Sequence, residues 1–351
     1  MIFIRTDSNA KIATGHMMRC LTIAKELRTL GETVTFLVSD CESEKLLFDE
    51  DFNYEVLDTK WDDLNTDDEI SKMKAILEEA INPVLFVDSY FASNEYYVAL
   101  KPYAKIACFD DFFDEKYDVD LLINYSIFHD MYDYESRYTA SETKCLIGPE
   151  YVPLRRQFVE EKKTRAFTKD SLDILVMCGG GDIHNVLAGL CEYGIREGLI
   201  SDETVGFQNV FHIIVGAYNP NIERLRELAS KYPQIKLYEN VSNIASMMAE
   251  CDVLVSAAST VLYEACAMGI PTVFFCMADD QVNDAKYFVR DASFLYAGDV
   301  RENKSKCLAN VFSSISDLKE NPTFIRQISK KSRALVDGLG AKKIAEEIIN
   351  L

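Results

Sequence analysis

A chain of 351 residues, 48% hydrophobic and 27% charged, is ordinary in composition but too long for one typical domain, so two domains are expected. Its net charge of −20, from 37 Lys+Arg against 57 Asp+Glu, argues against a nucleic-acid surface or an anionic membrane as the main partner. A small anionic ligand is compatible with that charge, because backbone N–H groups hold phosphate without a basic surface.

The chain opens on a strand, residues 1–4, which stops at Arg5 after four apolar residues. That run is too short for a secretory signal. Met17, Cys20, Leu21, Ala24 and Leu27 then recur at helical spacing, and Gly31 ends the helix. Further strands are expected at 34–38, 84–87, 106–109 and 121–123. Alternating strands and helices imply a parallel sheet with right-handed crossovers. Residues 162–171 are polar with little periodicity, which places a boundary between domains 1–163 and 164–351. The alternation restarts at 172–177, a glycine run and a helix, then 211–215, 235–238, 253–255 and 271–275. The expected fold is thus α/β, two Rossmann-like domains, with a last helix around residues 341–349 that crosses back to the first. No apolar run approaches the roughly 18 residues of a membrane span. The ten cysteines are scattered singly, without CxxC pairs or zinc spacing, and read as reduced thiols of a cytoplasmic protein with no stable membrane association.

In open parallel sheets, ligands bind beyond the carboxyl ends of the strands. Arg5, Thr6 and Asp7 follow the first strand. Asp88, Ser89 and Tyr90 follow residues 84–87, Asp110 and Asp111 follow 106–109, and Asn124 follows 121–123. Any one of these is equally a helix cap or turn former; four clusters on one edge point to a site. Ala13-Thr14-Gly15-His16 opens the first helix. The positive end of the helix dipole, with Arg19 one turn on, favours a neutral imidazole at His16, suited to be a general base. His129, His184 and His212 lack this context and read as structural or surface residues.

Gly179-Gly180-Gly181-Asp182 sits between a strand and a helix, a phosphate-cradle geometry, although tight-turn glycines read the same way. The strongest local signal runs from Val253 to Pro271. A strand leads to Ser259 or Thr260 as helix cap, with Glu264 one turn later, roughly 6 Å along the axis. A phosphate on the helix start would leave a ribose within reach of Glu264. Asp118-Val119-Asp120 superficially matches a metal-binding DxD, but its place before an apolar run reads as strand-entry polarity. No residues are expected to hold a metal or a cofactor.

Together these segments resemble the UDP-sugar hydrolase family of pseudaminic acid biosynthesis, grouped with spore-coat polysaccharide proteins and distantly similar to the lipid II-forming N-acetylglucosaminyltransferase. The matching stretches are Arg5-Thr6-Asp7, Thr14 to Cys20, Val87 to Tyr90, Phe109-Asp110-Asp111, Gly148 to Tyr151, Leu154 to Phe158, Gly179 to Asp182, Val241 to Ile244, Ser259 to Gly269, Asp280-Gln281 and Val336 to Ala341. The resemblance implies a GT-B-like fold with the ligand in an interdomain cleft and a metal-independent reaction. The substrate would be a UDP-linked diacetamido-trideoxyhexose; water attacks the anomeric carbon and UDP leaves with inversion. It places the general base on His16, the nucleotide helix on Ser259, Thr260 and Glu264, and substrate positions on Arg155, Asp280 and Gln281. Asp7, Gly15, Asp88, Tyr90, Asp110, Gly180 and Gly181 complete the expected substrate-binding set. Ala257-Ala258, Gly181 and Asp280 depart from the family's usual residues; a carboxylate at 280 must face the sugar or be protonated to avoid repelling a diphosphate. The alternatives are an inverting glycosyltransferase and a non-catalytic sugar-nucleotide binding protein.

Overall fold

The computed structural model describes residues 1–161, 171–202 and 209–351. They form two compact units, Met1–Arg155 with Leu339–Leu351, and Arg156–Gly338. Of the expected boundary at 162–171, residues 162–170 lie outside the described residues.

The first unit is built on seven strands: β1 Ile2–Thr6, β2 Val34–Val38, β3 Asn53–Val56, β4 Val84–Asp88, β5 Lys105–Phe109, β6 Leu121–Asn124 and β7 Lys144–Ile147. All pair in parallel in the order β3-β2-β1-β4-β5-β6-β7. Side chains alternate across the sheet. Ile2, Ile4, Phe86, Ala107 and Phe109 join one core layer, whereas Phe3, Leu85, Val87, Ile106 and Cys108 join the other. The first layer is covered by the helix Gly15–Thr29, which buries Met17, Cys20, Leu21, Ala24 and Leu27. Gly31, at φ +94°, follows it in a backbone conformation that side chains disfavour. The terminal helix Gly340–Ile349 packs beside it through Ala341, Ile344, Ala345 and Ile348.

The second unit has six parallel strands: β8 Asp173–Met177, β9 Val210–Val215, β10 Ile235–Glu239, β11 Val253–Ala257, β12 Thr272–Cys276 and β13 Leu295–Asp299. Their order is β10-β9-β8-β11-β12-β13. In each sheet the strand order reverses once at the centre, between β1 and β4 and between β8 and β11. Loops leave such a switch point in opposite directions and open a crevice at the carboxyl edge.

Every strand expected from the sequence is present, within one or two residues at its ends. β3, β7 and β13 were not expected, and all three are outer strands of their sheets. No helix among the described residues is long and apolar enough to cross a membrane.

Candidate functional site

In the first unit, the switch point is occupied by a charged cluster. Thr6 and Asp88, the last residues of β1 and β4, are register partners. Asp88 is only 1% exposed and His16, at the second position of the helix after β1, 7%. His16 Nδ1 lies 2.7 Å from Asp88 Oδ1. Arg19, three residues on and therefore on the same helix face, donates from Nε to Asp88 Oδ2 at 2.6 Å and from Nη2 to Oδ1 at 2.5 Å. It also reaches Asp111 Oδ2 at 2.7 Å and the Tyr125 hydroxyl at 2.9 Å, while its guanidinium lies 4.2 Å from the Phe109 ring centre. Burial works against ionisation of Asp88, but Arg19's charge and hydrogen bonds, then His16, outweigh it and hold the carboxyl well below the usual range.

This arrangement fixes the tautomer. Arg19 Nη2 also stands 3.3 Å from His16 Nδ1. A guanidinium only donates and a carboxylate only accepts, so Nδ1 either accepts from Arg19 or donates to Asp88. The shorter contact, with a buried carboxylate, puts the proton on Nδ1. In the neutral ring the lone pair is then on Nε2, to which no described residue hydrogen-bonds. Tyr90 stands edge-on to the His16 ring with centroids 4.3 Å apart, and Phe112 packs 4.9 Å from Tyr90. The Tyr90 hydroxyl is pushed up to about 12 by burial and by Asp111, so it stays neutral in neutral solution.

Of the residues expected at this edge, the structure joins His16, Asp88 and Tyr90. Asp7 and Asp110 are engaged elsewhere. Asp7 accepts from Arg5 Nη1 at 2.6 Å and from the Ser39 backbone N–H at 2.7 Å, within a network where Arg5 Nε also donates to Glu69 at 2.7 Å. Arg5 and Glu69 are fully buried. The Asp110 carboxylate accepts from the Phe113 N–H at 2.8 Å and the Tyr134 hydroxyl at 2.9 Å, and burial raises it. Gly15 is exposed, and a Cβ there would meet nothing within 4 Å. Arg155 is half-buried at the end of the unit's main segment. Arg19 and Asp111 were noted at this edge but not placed in the expected substrate-binding set, and Tyr125 and Phe112 were not anticipated. The i, i+3 spacing of His16 and Arg19 is the signal for the first; which of two adjacent aspartates turns toward it is not readable from sequence.

In the second unit, two helices start at the carboxyl edge, and their amino termini differ. Asp182 is buried and accepts from the Val186 and Leu187 N–H groups at 2.7 and 3.0 Å, so the helix Val186–Arg196 is capped by its own carboxylate. Gly180 accepts from the Tyr218 N–H at 3.0 Å. A Cβ on Gly216 would fall 2.4 Å from both the Gly179 and Gly180 carbonyl oxygens, so only glycine lets this second loop press on the first. Gly180 itself is exposed and Gly181 half-buried.

The helix Val261–Met268 begins differently. Ser259 and Thr260 are exposed, and no side-chain cap bond forms at Thr260. Glu264 is half-buried one turn in. The Ser259 hydroxyl accepts from the Val261 N–H at 3.4 Å, so a hydroxyl stands at this start where a carboxylate caps the other. Beyond β12, Gln281 Oε1 accepts from the Met277 N–H at 2.8 Å, and Asp280 is exposed. Asp284, one turn after Asp280, is pushed up to about 7 by burial and by Asp280's charge. Among the described residues, no group of three or more His, Cys, Asp or Glu side chains is arranged to hold a metal ion. Asp118 instead pairs with Lys101, and Asp120 with Lys105 at 2.7 Å.

Comparison with known proteins bears on both units. The chain is 26% identical over 292 residues to the UDP-2,4-diacetamido-2,4,6-trideoxy-beta-L-altropyranose hydrolase of Campylobacter jejuni, a match covering 82% of this chain and 96% of that protein. It is 26% identical over 234 residues to the spore coat polysaccharide biosynthesis protein SpsG of Bacillus subtilis, covering 66% of each. It also matches a Methanocaldococcus jannaschii protein at 27% identity, over 78% of this chain but only about half, 54%, of the relative's length. The crystal structure of MurG from Acinetobacter baumannii superposes with a TM-score of 0.66 at 14% identity, covering 100% of this chain and 99% of that one, which identifies the fold as that of the GT-B glycosyltransferases. Residues 156–348 match the glycosyltransferase family 28 C-terminal domain, and the chain belongs to that family.

Proposed function

We propose that this protein hydrolyses a UDP-linked diacetamido-trideoxyhexose to free sugar and UDP, with inversion at the anomeric carbon and with His16 as general base. The observation that carries the reading is the His16–Asp88 contact, which presents an unengaged Nε2 lone pair at the sheet's switch point. The similarity to the Campylobacter hydrolase over most of both chains supports the substrate class.

In this reading the diphosphate sits on the N–H groups at the start of Val261–Met268, beside Ser259 and Thr260, and Glu264 accepts from a ribose hydroxyl. Arg155, Gly180, Gly181, Asp280 and Gln281 belong to the nucleotide-sugar surroundings, and Tyr90 flanks the sugar. Asp7 and Asp110 shape the edge through their internal bonds. A water oxygen bonds to C1 as His16 Nε2 takes its proton. The bond from C1 to the diphosphate oxygen breaks, and its electron pair leaves with UDP. The resulting imidazolium is stabilised by the ionised Asp88 carboxylate and returns its proton to solvent. Preorganised charge of this kind stabilises a transition state without reorganisation cost.

Membership of a glycosyltransferase family favours a second reading, in which a hydroxyl acceptor replaces water on the same base. Incubation with a panel of UDP-sugars and no acceptor separates the two. Release of UDP together with a free sugar of inverted anomeric configuration supports hydrolysis. Release only when an acceptor is added supports transfer, and nucleotide-sugar binding without any turnover overturns both.

A further inference from the structure

The His16 cluster holds two carboxylates for one guanidinium, and only one of them touches the imidazole. We propose that Asp111 is a positioning residue for the reaction above, its carboxylate drawing Arg19's charge away from His16 so that the ring accepts the water proton. The proposal rests on the hydrolase reading for its catalytic meaning, although the electrostatic relationship stands apart from it.

The geometry is specific. Arg19 Nη2 faces three groups at once: Asp88 Oδ1 at 2.5 Å, Asp111 Oδ2 at 2.7 Å and His16 Nδ1 at 3.3 Å. A proton taken up by His16 therefore creates a cation beside an existing one. With Arg19, Asp88 and Asp111 ionised, the cluster carries −1 before that step and 0 after it. Without the Asp111 charge it would run from 0 to +1 in a site where Arg19 is nearly buried, 12% exposed. Like charges in such surroundings disfavour the protonated form.

The other titratable groups around His16 do not take over this role. Asp88, at the end of β4, is already committed to both His16 and Arg19. The Cys20 thiol on the same helix is pushed well up by burial and by Asp88, and Tyr125, following β6, is raised by burial. Tyr90, following β4, is raised to about 12. All three are therefore neutral at pH 7. Asp111 is not hydrogen-bonded to the His16 ring, so its removal leaves the Nδ1–H to Asp88 bond and the tautomer in place. That separates it from Asp88, whose loss would disturb both.

The test is an NMR titration of the imidazole signals in the full-length protein. The chain has four histidines, and the His16 signal is the one absent from His16→Asn. In Asp111→Asn the His16 midpoint is expected to fall by about one pH unit relative to wild type, the lower end of the effect of a charge within a few ångströms. Asp111→Glu is expected to restore most of it. Asp111→Ser removes the same charge with a different side chain and serves if the Asn variant fails to fold. An unchanged or higher midpoint in folded Asn or Ser variants overturns the proposal. The acid limb of kcat in the variants should move in the same direction. If wild type turns over no UDP-sugar, the hydrolase reading fails, whereas the titration still decides what Asp111 does to His16.

Discussion

His16 Nδ1 and Asp88 Oδ1 lie 2.7 Å apart, joining the helix after β1 to the end of β4 across the point where the strand order reverses. Asp88 is also the main partner of Arg19, so one buried carboxylate orients the base and neutralises the cation beside it. Removing its charge in Asp88→Asn leaves Asp111 as the carboxylate paired with Arg19. Breaking a buried pair of this kind typically costs about 3–5 kcal/mol. Urea denaturation should show a loss in that range, with kcat falling as well; a loss under about 1 kcal/mol would mean the pair contributes no more than a surface one.

The same residue gives an acid-side prediction. Its folded-state value is depressed below that of an unfolded aspartate, so the contribution is fully present above the unfolded value, near pH 4. It is lost as pH falls toward the folded value. The stability difference between wild type and Asp88→Asn should therefore shrink as the pH falls below about 4. A difference that stays flat down to pH 2.5 would contradict the assignment.

Asp284 predicts the opposite trend. Burial, then Asp280, raises its carboxyl from 3.8 to about 7. Between pH 4 and 7 the folded state keeps a proton that the unfolded state releases, so stability declines as pH rises through that window and the penalty persists above it. Asp284→Asn should melt close to wild type at pH 4 and a few degrees higher at pH 8. Equal melting temperatures at both values would show that the carboxyl ionises without penalty.

The two helix starts in the second unit predict different phenotypes. Glu264→Ala should weaken UDP binding by about 1–3 kcal/mol, the range for a hydrogen bond to a charged group, as read by calorimetry. Asp182→Ala uncaps Val186–Arg196 and should lower stability by about 1–2 kcal/mol while leaving UDP affinity unchanged. Exchanged effects would move the anion site from one helix to the other.

Central strands, the first helix and the candidate base were legible because each is written locally. Apolar runs such as Val253–Ala257 and the spacing of Met17, Cys20, Leu21, Ala24 and Leu27 state their own periodicity. β3 and β13 were not legible: Asn53–Val56 is largely solvent-facing, and Leu295–Asp299 carries Gly298 beside a register shift. β7, with only Leu146 buried, is the same case. At the site, sequence order located the carboxyl-edge clusters but not which member of each turns inward. Asp110 bends back onto its own loop, while its neighbour Asp111 reaches Arg19. Asp7 likewise turns to Arg5 and to Ser39, thirty-two residues away. Such choices depend on long-range packing that no local pattern records.

Whether His16 catalyses hydrolysis is decided by turnover of a UDP-diacetamido-trideoxyhexose without acceptor, in excess EDTA, for wild type beside His16→Asn. The expected result is UDP release by wild type at the same rate with and without EDTA. The variant should be about 10²–10⁴-fold slower, the usual contribution of positioned proton transfer, with UDP affinity unchanged. Full activity in His16→Asn would contradict the role of His16, and loss of wild-type turnover in EDTA would contradict the metal-free chemistry.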